Sequence, residues 1–64
     1  MNISTVAENL RNTIAGKELM LTTLNARRVV DKVAIKYLEI NIDELKRILQ
    51  DVEQCEVQLA ADAR

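Results

Sequence analysis

The sequence predicts an all-α protein, a helical hairpin, from three observations. Apolar residues make up 48% of the 64 residues and aromatics 2%. A core must therefore be built from Leu, Ile, Val, Ala and Met, which suits packed helices better than a small sheet sandwich. There is no proline and one glycine, Gly16, so few positions announce a turn. The second half carries a helix-start pattern followed by apolar residues at steps of three and four.

That start lies at Ile40-Asn41-Ile42-Asp43-Glu44-Leu45. Asn41 fits an N-cap, because its side-chain oxygen can accept a hydrogen bond from an exposed N–H of the first turn. Glu44, three residues on, can reach back to complete a capping box, and Ile40 with Leu45 occupy the staple positions. Replacing Asn41 with Ala is expected to cost about 1 kcal/mol on this reading. The helix should run from Ile42 to about Ala61, with Asp62-Ala63-Arg64 frayed. Leu45, Ile48, Val52, Cys55 and Leu59 form its heptad-like seam.

The first half reads as one long helix, continuous or interrupted, over about residues 5–38. Ser4 or Thr5 caps it, and Thr5 with Glu8 forms a capping box. Ala7, Leu10, Ile14 and Leu21 recur near helical spacing. Gly16 can end a helix, but Lys17-Glu18-Leu19-Met20-Leu21 resumes strong helix formers at once and favours continuity. Thr22-Thr23-Leu24-Asn25 is a second weak spot, since β-branched and Asn side chains lower helix propensity. From Ala26 to Leu38 the pattern is again helical, with Ala26, Val30, Val33 and Tyr37 on a second apolar wall. Leu38 to Asp43 alternate apolar and polar over too few residues to outweigh the helix. The link at Glu39-Ile40-Asn41 would then join antiparallel neighbours.

One domain at most fits in this length, and a chain so short is marginal when alone. Cys55 is the only cysteine and there is no histidine, so neither an internal disulfide nor a structural zinc set is available as support. Self-association, with a homodimeric four-helix-type bundle favoured, or a protein partner is the expected remedy. The net charge is −1. Residues 1–40 hold six basic and four acidic side chains (+2), and residues 41–64 hold three and six (−3). Complementary faces within a hairpin or between subunits are the expected use of that asymmetry. Arg47 and Asp51, four apart, can pair across one helical turn.

No secretory signal or membrane-length apolar run is legible, and a free cysteine on an apolar stripe fits a reducing compartment. The cytoplasm is the expected location. Without histidine, and with Cys55 beside Glu56 and no base, no catalytic constellation forms. Neither a cofactor nor a metal motif is present, and Cys55 reads as a small core hydrophobe. Arg28, Lys32 and Lys36, with Arg27, make a basic stripe able to meet a phosphate backbone or an acidic partner.

The function expected is therefore non-enzymatic. The chain would be a coiled-coil-like interaction module that regulates, inhibits or assembles a larger protein, of the size and character found among phage and mobile-element accessory proteins. A small DNA-associated regulator using the Arg27/Arg28/Lys32/Lys36 stripe is the alternative, and a subunit completing an enzyme only in a complex is a third.

Overall fold

The structure, a computed structural model, describes residues 2–62. It is a helical hairpin: α1 spans Ile3–Asn25 and α2 spans Lys32–Asp62, and the two pack against each other. No strand is found among the described residues. The fold extends 54 Å in its longest dimension and 15 Å in each of the others. The fraying expected beyond Asp62 lies outside the described residues.

Helix α1 begins earlier than the Thr5 box suggests. Asn2 is its N-cap, with extended backbone, and its Oδ1 accepts hydrogen bonds from the Thr5 N–H at 2.8 Å and the Thr5 hydroxyl at 3.0 Å. Ser4 and Thr5 thus lie in the first turn. The helix continues through Gly16, as the strong formers after it imply. A Cβ at Gly16 would meet open space.

The turn corrects the sequence reading. The chain reverses over residues 26–31, not at Glu39-Ile40-Asn41, and neither the helix over 5–38 nor the fresh start at Ile42 forms. The weak spot at Thr22-Asn25 ends α1. Thr22 and Thr23 turn their hydroxyls back to the carbonyls of Glu18 and Leu19, and the Asn25 amide donates to Leu21. Such back-bonding weakens and bends a helix. No described residue has positive φ, so the end is made without a left-handed cap. Asp31 then starts α2. Its carboxylate accepts the Ala34 N–H at 3.0 Å and its carbonyl accepts the Ile35 N–H at 3.1 Å. Val30 and Ile35 stand at the two staple positions around it.

Asn41 is inside α2 and half-buried. Magnitudes explain why its capping box loses. A cap contributes about 1 kcal/mol, whereas burying one Ile or Leu contributes about 1.5–3 kcal/mol. Helix continuing through Asn41 keeps Ile35 and Leu38 on the same stripe as Ile42 and Leu45. A turn at 39–41 would also oppose helices of very unequal length, stranding part of the longer one.

The seam between the helices follows from that register. On α1 the buried and half-buried positions Ile3, Ala7, Leu10, Ile14, Lys17, Leu21 and Leu24 recur at alternating steps of four and three, with half-buried Val6 beside them. On α2 Ile35, Leu38, Ile42, Leu45, Leu49, Val52 and Glu56 recur at steps of three and four, flanked by half-buried Ala34, Asn41 and Glu53. Both are heptad repeats, the pattern of a coiled-coil pair. Yet among the described residues only Ala7, Ile14, Ile35 and Ile42 are buried. The core is real but thin.

Candidate interaction surface

The two edges of the seam differ in chemistry. One is ionic. Arg11 Nη2 lies 3.1 Å from Glu53 Oε2 and 3.2 Å from Glu56 Oε1, and Lys46 Nζ lies 3.6 Å from Glu18 Oε2. Arg11 and Glu18 each follow a fully buried seam residue, Ala7 or Ile14, by four positions. Lys46 and Glu53 follow Ile42 and Leu49 in the same way. In an antiparallel pair these rows face each other along one edge. The hydrogen bond to Glu53 chiefly, opposed by desolvation and helped by both carboxylate charges, raises the Arg11 pKa further above neutrality. All three ion pairs found among the described residues join one helix to the other; the Arg47–Asp51 pairing does not form.

The opposite edge is apolar and open. On α2 it consists of the half-buried Leu38, Leu45 and Val52 with the exposed Ile48, Cys55 and Leu59 beside them. On α1 it consists of Ile3, Val6, Leu10 and Leu24, half-buried, with exposed Thr13 and Met20 and the half-buried Lys17. Because the ionic rows fix one side of the seam, both of these stripes lie on the other.

The residues singled out from the sequence therefore divide. Leu45 and Val52 belong to the seam between the helices. Ile48, Cys55 and Leu59 lie one row over, on the open edge. The stripe Leu45-Ile48-Val52-Cys55-Leu59 and the inner stripe Ile42-Leu45-Leu49-Val52 share two members. Periodicity alone does not choose between such overlapping rows; the partner helix does. Cys55 is consequently exposed and free in the single hairpin, outside the seam between the two helices.

Ala26 and Val30 fall in the turn, and Val33 and Tyr37 are exposed on the first turns of α2. Tyr37 retains 70% of its accessible surface. It joins Lys32, Val33, Lys36 and Ile40 along a shallow groove on α2. Arg27, Arg28, Lys32 and Lys36 are all exposed at this turn end, but Arg27 and Arg28 lie in the turn and only Lys32 and Lys36 on α2, so the helical stripe through Arg28 does not form. Val29, 84% exposed, stands among them. Its exposure had no sequence signal, because it depends on where the turn falls.

Among the described residues, no group of three or more His, Cys, Asp or Glu side chains is placed to hold a metal ion, and no helix is long and apolar enough to cross a membrane. The geometry defines an antiparallel helical hairpin with one ionic and one open apolar edge. No family model, curated protein or solved structure matches the chain.

Proposed function

We propose that this hairpin is a non-enzymatic protein-interaction module, a small regulator, inhibitor or assembly factor, that works by completing its thin core with apolar surface from outside the chain. The supporting observation is the imbalance in burial. Among the described residues four hydrophobic residues are buried, while ten large apolar side chains are exposed, including Met20, Ile48 and Leu59 on the open edge. Scattered exposed apolar residues are normal, but a continuous apolar edge is the mark of an interaction surface.

The test is site-specific photo-crosslinking in cells that make the protein. A photoreactive residue at Ile48 or Leu59 should give discrete adducts to a defined protein partner. The same residue at Asp43 or Gln50, away from that edge, should give none. Equal labelling at all four positions would remove the reading.

A second reading, a DNA-associated regulator, draws support from the exposure of Arg27, Arg28, Lys32 and Lys36 at one end. Asp31 and Glu39 share that end and reduce its charge. Phosphate contacts weaken steeply with salt. Fluorescence anisotropy with duplex DNA at low ionic strength decides it: salt-sensitive binding lost on replacing the four cations supports this reading, and no binding by the native protein ends it.

A further inference from the structure

We infer that the open edge is covered by a second copy of the chain, set antiparallel, with its two-fold axis passing beside Ile48. The inference rests on the interaction-module reading and names its first occupant. Three observations support it.

The first is the distribution of charge along the hairpin. The turn end, residues 20–40, carries Arg27, Arg28, Lys32 and Lys36 against Asp31 and Glu39, a balance of +2. The middle, residues 13–19 and 41–49, carries Lys17, Lys46 and Arg47 against Glu18, Asp43 and Glu44, a balance of 0. The open end, described residues 2–12 and 50–62, carries Arg11 against Glu8, Asp51, Glu53, Glu56 and Asp62, a balance of −4. The molecule is thus positive at the turn and negative at the helix ends. An antiparallel copy places each positive end on a negative one, and a parallel copy places like charge on like. Complementary potentials of this kind fix orientation and suppress the wrong arrangement.

The second is the row itself. A two-fold contact uses one patch twice. The α2 row of Ile48, Cys55 and Leu59 continues toward the turn through Asn41 and Tyr37 at helical steps of seven and four; centred on Ile48, it places Ile48 against its own copy, Asn41 opposite Cys55, and Tyr37 opposite Leu59. Each of these pairs is symmetric about position 48. Tyr37 and Leu59, both well exposed in the single hairpin, would cover each other.

The third is size. One long side of 54 by 15 Å projects to an area on the order of 800 Å² per partner, the standard size for a stable protein interface. Burying it would convert the half-buried Leu38, Leu45 and Val52 into interior residues of a four-helix bundle.

Disulfide trapping tests the arrangement. In the antiparallel pair Cys55 lies about 21 Å from the partner copy's equivalent position, fourteen residues of helix at about 1.5 Å each, far beyond the roughly 7 Å Cα limit of a disulfide. The native protein treated with diamide should therefore stay uncross-linked. The double variant Ile48→Cys/Cys55→Ser should form a covalent dimer in high yield. Cross-linking of the native protein through Cys55 instead would overturn the antiparallel geometry.

Light scattering across a concentration series supplies the independent readout, expected to give twice the 7.3 kDa chain mass. A folded monomer at every concentration would overturn self-pairing altogether. If that monomer still gave adducts to a larger protein from Ile48 and Leu59, the module reading would stand and only the identity of the first occupant would fall. A dimer whose Ile48 and Leu59 adducts run only to the second copy of the chain would support self-pairing and leave no larger partner on this edge.

Discussion

At the scale of single residues, three Asn and Asp side chains compete to define helix starts, and geometry separates them. Asn2 and Asp31 accept backbone N–H bonds across three residues; Asn41 sits within α2. Asn2→Ala and Asp31→Ala should each destabilise by about 1 kcal/mol. Asn41→Ala should do no such harm and can stabilise by a few tenths of a kcal/mol, because Ala is the better residue inside a helix. Urea denaturation of the three variants reads this directly. A loss of about 1 kcal/mol at Asn41 and none at Asp31 would return the turn to Glu39-Asn41. Gly16→Ala should stabilise by about 0.5–1 kcal/mol, since its Cβ would enter open space; a destabilised variant would mean that something packs on that position.

At the scale of elements, the turn and the seam make separable predictions. Inserting two glycines between Arg28 and Val29 lengthens a loop, and loop entropy grows slowly with length. The melting temperature should change little. The same insertion between Ile40 and Asn41 puts glycines inside α2 and rotates Ile35 and Leu38 away from Ile42 and Leu45. It should abolish cooperative melting by circular dichroism. Ile42→Ala should cost 2–5 kcal/mol, as truncations of buried Ile residues do, enough to unfold a domain of this size. A mild effect there would place the core elsewhere.

These elements also show what could be read from the chain beforehand. The all-α hairpin was legible in composition and in three-four spacing, and helix continuity through Gly16 in the residues after it. The turn was not. Asn41-Ile42-Asp43-Glu44 is the better local match to a helix start, while Asp31 lacks a Glu or Gln three residues on. Only packing, in which the α1 stripe from Ile3 to Leu24 meets the α2 stripe from Ile35 to Val52, selects the second. The same holds for the candidate surface. The row Leu45-Ile48-Val52-Cys55-Leu59 was visible as apolar periodicity. Its division into seam and open edge depends on the direction from which α1 approaches, which local spacing does not encode. The repeat of Arg28, Lys32 and Lys36 at four implied one helical stripe, but Arg28 falls in the turn and only Lys32 and Lys36 share a helix.

For the whole molecule, stability should be inseparable from concentration. A core with four buried residues supports little free energy by itself, and an associating surface adds stability by mass action. The thermal midpoint should rise as protein concentration is raised tenfold, and fall when Ile48 is replaced by Asp. A midpoint independent of concentration would mean that the single hairpin carries all of its own stability.

The connection made by residues 26–31 has a further property. It contains no glycine and no strained backbone, and it presents Arg27-Arg28 to solvent. A trypsin-like protease would meet an accessible bond there before it met the ordered helices. Cutting it removes no seam contact. What is lost is covalent tethering: an intramolecular encounter becomes one between two peptides, and the millimolar effective concentration that a short linker provides disappears. The nicked protein would then hold together only where enough of it is present, so a single cleavage would turn a durable module into one that dissolves on dilution.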